Sequence, residues 1–327
     1  MIRAAAILAS VALGSAFGQQ RDVQQPHVQN ARMETRAAAG GLDATLRAIE
    51  NAQSSPAWIG YAVPIIPGDR QMCCWNNSVR GCFLEPGSND RTVVVANNQT
   101  IKLEGPTELV VLYRVENRQV GKVRSFSPEC DLDAGGLPFI WLTSVNAAES
   151  VKLLEGIVRD SAGAAREQTR RADSAVSAIA MHADPAAEQA LEDLLAASQP
   201  DELRRRAVVG LAQRNNPQAV NILVGVAHND KSPHVRGQAL FWLAQRVGQK
   251  VAESAINDAI ANDPETEVKK KAVFALTQMP SGEGVPLLIQ VARANRNPEV
   301  RKQAMFWLGQ SKDERALAFI EEVLAKR

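Results

Sequence analysis

Residues 300–310 read VRKQAMFWLGQ, and residues 235–245 read VRGQALFWLAQ. The two phrases start 65 positions apart (300 − 235), which is twice a shorter period. VKKKAVFALTQ stands between them at 268–278, and LRRRAVVGLAQ precedes both at 203–213. Aligned on one alanine, the copies place Ala175, Ala207, Ala239, Ala272 and Ala304 at steps of 32, 32, 33 and 32. A fixed period of this size marks an array of supersecondary units, none of which can bury its apolar face alone.

Each copy holds two helical stretches. In the first, relative positions 0, 4, 7 and 8 are small or apolar: Val300, Ala304, Trp307 and Leu308; Val268, Ala272, Ala275 and Leu276; Val235, Ala239, Trp242 and Leu243; Leu203, Ala207, Gly210 and Leu211. That spacing draws one stripe down a helix. The earliest copy has Arg171 at the first position but keeps Ala175, Ala178 and Ile179, as suits a terminal repeat. A second stripe runs through Leu191, Leu223, Leu288 and Ile320, with Leu194, Val226, Val291 and Val323 beside it. Asp184-Pro185, Asn216-Pro217, Asp263-Pro264 and Asn297-Pro298 punctuate the turns, where proline starts one helix and stops the one before. Stacked hairpins of this kind share a continuous core. The expected architecture over residues 146–327 is therefore an all-α solenoid of about five repeats.

The string NPEVRKQAMFWLG at 297–309 resembles a HEAT repeat, in the short bacterial form first named for phycobilin lyases. The resemblance spans roughly residues 165–327. It implies a fold more than a task, because similar proteins include scaffolds, lyase subunits and a metal-dependent hydroxylase. Hydroxylases of that kind hold iron through His-Glu steps. This chain has no His-Glu dipeptide, and His182, His228 and His234 fall at turns, where surface or capping roles are expected. A lyase- or hydroxylase-type enzyme or subunit is the alternative reading. No catalytic, cofactor-binding or metal-binding residue can be nominated for it.

The 327 residues carry a formal net charge of +1, which gives no long-range field to steer the chain to nucleic acid. Met1-Ile2-Arg3, the apolar run Ala4–Gly14 and the small residues of Ala16-Phe17-Gly18 have the three parts of a secretory signal, with cleavage expected near Gly18-Gln19. The apolar run is short of the roughly 20 residues that span a bilayer. A periplasmic or secreted protein without a transmembrane helix is expected. In that compartment Cys73, Cys74, Cys82 and Cys130 read as disulfides. Adjacent Cys73 and Cys74 cannot easily join each other, so one pairs with Cys82 and the other with Cys130; the sequence leaves open which.

Residues 19–56 read as a polar linker or loosely helical arm and a short helix at Leu42–Asn51. Residues 57–145 read as a small β domain with hairpins around Asn97-Asn98 and within ELVVLYRVENRQVGKVRSFS, and a last strand in PFIWLTS. Leu109, Val111, Tyr113 and Val115 share one strand face, and Val110, Leu112 and Arg114 the other. With the solenoid, this makes the chain α+β.

Three sets of residues could form a binding surface. Outward positions of the second helices, which line the concave side of such solenoids, include Gln189, Asp193, Asn221, Gln290, Glu321 and Glu322; these differ between copies while the core positions repeat. A basic column, Arg204, Arg236, Lys269 and Arg301, starts each first helix. It would either face an anionic partner or bond the preceding turn. Val209, Phe241, Phe274 and Phe306 form an apolar column that should fill the seams between repeats. Together these suggest a scaffold without cofactor. A protein partner is expected and an anionic envelope polymer is the other candidate; nucleic acid is not expected.

Overall fold

A computed structural model describes residues 25–68, 72–74, 81–86, 105–161, 166–214, 216–246 and 249–325. The expected signal segment and the expected hairpin at Asn97-Asn98 lie outside these residues. The fold is mixed α+β: a sheet-rich region followed by a helical repeat region.

The main sheet has five strands: β2 (Arg32–Ala37), β3 (Ala57–Pro64), β5 (Glu108–Glu116), β6 (Gln119–Phe126) and β8 (Pro138–Thr143), in the order β2-β8-β3-β5-β6. β8 lies parallel to both its neighbours, while β3, β5 and β6 pair antiparallel. A smaller, wholly parallel sheet joins β1 (Val28–Gln29), β7 (Asp131–Asp133) and β4 (Gly81–Phe83). The expectation of a linker across residues 19–40 is corrected at this point, since Val28–Gln29 and Arg32–Ala37 are strands. β2 sits at the sheet edge and is exposed along nearly its whole length, so Arg32, Glu34 and Arg36 need no apolar partners. Charges are a usual way of blunting an edge strand.

The alternation in β5 sorts its residues as the sequence implies. Leu109, Val111, Tyr113 and Val115 join the core shared with the helices. Val110 and Leu112 join a second core with Trp58, Phe139, Trp141, Cys82 and Cys130. Gly60 of β3 makes that second core possible, because a Cβ there would stand 2.5 Å from Leu112 Cδ2. Cys73 bonds Cys130 and Cys74 bonds Cys82, with Cα atoms 5.4 and 5.1 Å apart. The cross-links thus lie on the sheet face turned away from the helices.

α1 (Leu42–Ala52) and α2 (Ala147–Arg159) precede five hairpins: α3 (Arg166–Met181) with α4 (Ala186–Leu195), α5 (Asp201–Arg214) with α6 (Pro217–Asn229), α7 (Pro233–Arg246) with α8 (Gln249–Asn262), α9 (Thr266–Leu276) with α10 (Gly284–Ala294), and α11 (Pro298–Gln310) with α12 (Glu314–Ala325). The five aligned alanines are completely buried, as are Val235, Val268 and Val300. Asn146 caps α2, accepting from the backbone N–H of Ala148 and Glu149. Glu149 turns elsewhere: its Oε2 accepts from Leu42 N at 2.8 Å and so caps α1 across 107 residues.

A buried polar chain joins sheet to repeats. Tyr61 Oη lies 2.7 Å from Tyr113 Oη and 2.7 Å from Ser150 Oγ, and Ser150 Oγ lies 2.8 Å from His182 Nε2. His182 Nδ1 faces the Ala178 carbonyl at 2.7 Å. A carbonyl only accepts, so Nδ1 carries the hydrogen and Nε2 accepts from Ser150. Ser150 then accepts from Tyr61, and Tyr61 from Tyr113, so one carbonyl orients every hydroxyl in the chain. His182, expected at the surface or as a cap, is in fact completely buried; it does bond a last-turn carbonyl of α3. Burial lowers its pKa to about 4, and nearby Arg214 adds to the effect, against the pull of the Ala178 carbonyl and Asp184.

Candidate functional site

The first helices α3, α5, α7, α9 and α11 stack in order, and their starts carry the basic column. Arg204 is completely buried, and its guanidinium grips Asp230 through Nε and Nη2 at 2.9 and 3.0 Å. Arg236 repeats the grip on Asp263 at 2.8 and 2.9 Å and also donates to the Asp230 carbonyl at 2.8 Å. Each aspartate accepts in turn from a backbone N–H two residues on, Ser232 or Glu265. The Asp230 and Asp263 carboxylates hold Arg204 and Arg236 above the ordinary arginine pKa. Burial alone would raise Asp263, but the Arg236 and Glu265 donors outweigh it and leave it below the usual carboxylate range.

At the fourth copy both partners change together. Lys269 replaces arginine, Asn295 stands where aspartate stood, and Lys269 Nζ bonds the Ala261 carbonyl at 2.8 Å. Arg301 bonds the Asn295 and Arg296 carbonyls. The column therefore stitches each repeat to its adjoining turns. Arg204, Arg205 and Arg206 meet three fates: the first is buried on Asp230, the second is exposed, and the third is 7% exposed and bonded to Asp173 and Glu202.

The second-helix candidates divide. Gln189, Asn221, Gln290 and Glu321 are exposed. Gln189 and Asp193 bond each other at 2.9 Å. Glu322 is half-buried and accepts from Arg293, tying α12 to α10. Similar rungs join Gln218 to Glu192 and His228 to Asp258.

The apolar column is a seam for most of its length. Phe241 and Phe274 stack with ring planes 8° apart and centroids 6.0 Å apart, and Phe274 meets Trp307 at 5.0 Å. Phe306 meets Trp307 edge-on at 5.0 Å and ends the seam 54% exposed. Trp242 and Trp307 fall in the expected core stripe but are only half-buried. The equivalent position in α5 is Gly210, where even a Cβ would stand 2.6 Å from Leu191. A slot that small cannot take an indole, so the rings join the outer seam.

A groove crosses the outer face of α3, α5 and α7, between Val176 and Val209 on its walls and Gln238 at its end. Nothing in the sequence marks it, since Arg206 sits in a run of three arginines and Gln238 belongs to no candidate set. Among the described residues, no group of three or more His, Cys, Asp or Glu could hold a metal ion.

These features agree with the family comparison. The model for HEAT repeats matches residues 188–258 and 253–327. Residues 188–327 are HEAT repeats. The chain is similar to two engineered proteins solved by a structural genomics consortium. One shows 19% identity and a TM-score of 0.26, over 55% of this chain and 87% of that one. The other shows 20% identity and a TM-score of 0.23, over 54% and 75%. Both likenesses are too loose to bear on function. No curated protein matches the chain.

Proposed function

We propose that this chain is an exported, non-catalytic scaffold that holds a protein or envelope polymer on the surface of its HEAT array. One observation carries the reading: the apolar side chains that define the period are spent on the core, while exposed positions of the second helices hold different residues. The recurring alanines, valines and leucines fill the core, and the recurring arginines bond their own turns. Gln189, Asn221, Gln290 and Glu321 occupy exposed second-helix positions, three as carboxamides and one as a carboxylate. Two bonded cysteine pairs support an oxidising compartment, periplasmic or secreted. No described helix is long and apolar enough to cross a membrane.

The test is photo-crosslinking in the exporting cell, with reactive residues placed singly at Asn221, Gln290 and Gln238. A discrete crosslinked product from at least one position is expected. Metal content and a cofactor-like absorbance band in the purified protein, together with no crosslink, would overturn the reading in favour of an enzyme.

A further inference from the structure

Relative position 2 of the first helices carries Arg205, Gly237, Lys270 and Lys302, at steps of 32, 33 and 32. A glycine thus interrupts a cationic column on α7, and the gap is filled from the next first helix. The stem of Lys271 lies over Gly237, where a Cβ would collide with its Cδ. Its ammonium reaches His234, one turn earlier on α7, at 3.1 Å from Nδ1. An ammonium only donates, so Nδ1 accepts and Nε2 carries the imidazole hydrogen. On α5, Arg205 is exposed, and its guanidinium bonds none of the described residues. Its charge reaches Lys271: burial lowers the Lys271 pKa, Glu267 opposes the shift, and the like charge of Arg205 adds to it. The neighbouring carboxylates are engaged elsewhere. Glu267 bonds Lys270, while Asp173 and Glu202 hold Arg206.

We infer that Arg205, His234 and Lys271 form a binding site for a dianionic tetrahedral oxyanion, a phosphate group either free or carried as a monoester. The inference goes beyond the scaffold reading and does not depend on it.

Three features select this ligand. The guanidinium, the ammonium and the imidazole Nε2–H are all donors, so the ligand must supply only acceptors. Two positive charges without a bonded carboxylate match a dianion, whereas a single carboxylate would leave one of them over. The donors come from three successive helices, α5, α7 and α9, and so approach from different sides, which suits a tetrahedral group better than a planar one. Arg205 and His234 are both exposed, so a dissolved anion reaches them without any opening of the fold.

The experiment uses the full chain with its disulfides formed. Phosphorus NMR follows titrations of inorganic phosphate and of glycerol phosphate at about pH 8, where both are dianions, with ionic strength held constant by chloride. Saturable binding is expected. Arg205→Gln and Lys271→Gln should each weaken it about tenfold or more. Gly237→Ala should do the same by pushing the Lys271 stem aside, with net charge unchanged and thermal stability no lower, since alanine favours a helix interior. Lys302→Gln, which removes an equal charge from the same column, should leave binding as it is. Acetate should not compete. Tighter binding of glycerol phosphate would assign the site to an ester, and tighter binding of inorganic phosphate to the free ion; either supports the inference.

The inference is overturned if neither phosphate saturates, or if Gly237→Ala binds as the native chain does. It is equally overturned if Lys302→Gln weakens binding as much as Arg205→Gln, the mark of diffuse surface charge, or if acetate displaces phosphate at equal concentration. Each of these results would leave the scaffold reading standing, because that reading is tested by crosslinking.

Discussion

In the sheet-rich region, Arg32 lies opposite Pro138 and Cys73 is bonded to Cys130. In the HEAT array, Arg204 grips Asp230 and Arg236 grips Asp263, each at the turn that closes its own hairpin. The first region closes by joining distant parts of the chain. The second grows by repeating a local contact. Distant closure needs cross-links and precise registers, whereas local repetition needs only that each copy fit the next. Four substitutions or conditions probe that contrast, from the largest effect to the smallest.

Asp263→Ala should cost the array about 3–5 kcal/mol, because it leaves the Arg236 guanidinium buried without its counter-charge. Urea denaturation followed by helix circular dichroism measures it. A loss below 1 kcal/mol would mean that the repeats are not stitched through these pairs.

Replacing Cys73 and Cys130 together by alanine should destabilise the sheet-rich region by about 4 kcal/mol, from the loop-closure entropy of a 57-residue separation. Removing Cys74–Cys82, with a separation of 8, should cost about 2.5 kcal/mol on the same basis. Tryptophan fluorescence should report both, since Trp58 and Trp141 pack in the same core as Cys82 and Cys130. Equal losses would show that loop length is not what sets the effect.

The junction between the two regions should be acid-sensitive. His182 has a pKa near 4 in the fold against about 6.5 unfolded, so the unfolded chain binds the extra proton in between. Its contribution, about 3 kcal/mol, is present in full above pH 6.5 and is lost as the pH falls from 6.5 toward 4. Urea midpoints for the native chain and for His182→Gln should converge across that window. Parallel pH profiles would show that the histidine is not sealed between sheet and helices.

Glu149→Ala should cost about 1 kcal/mol, the usual worth of a helix N-cap, because it removes the acceptor of Leu42 N. Amide exchange at Leu42 reads it directly, and unchanged protection there would assign the cap to another group.

The same contrast explains what the sequence could reveal. The array was legible because its period is written in side chains, and the faces of β5 were legible because strands alternate. The cysteine scheme was legible down to two arrangements, since neighbouring residues cannot pair. β2 was not, because an exposed edge strand carries no apolar alternation and its parallel partner lies about a hundred residues away. His182 was hidden for a related reason: its burial comes from Tyr61 and Ser150, which approach from other elements. Arg206 was hidden inside a run of three arginines that looks uniform until the neighbouring helices pack against it.

The central claim is that the HEAT array is the surface that holds a partner and the sheet-rich region is its closed foundation. Hydrogen exchange of the full exported chain, free and bound to its crosslink-identified partner, tests it most directly. The account expects slowed exchange in the array, centred on α5, α7 and α9, with the main sheet unchanged. Slowing confined to the main sheet, with no change from α3 to α12, would contradict it.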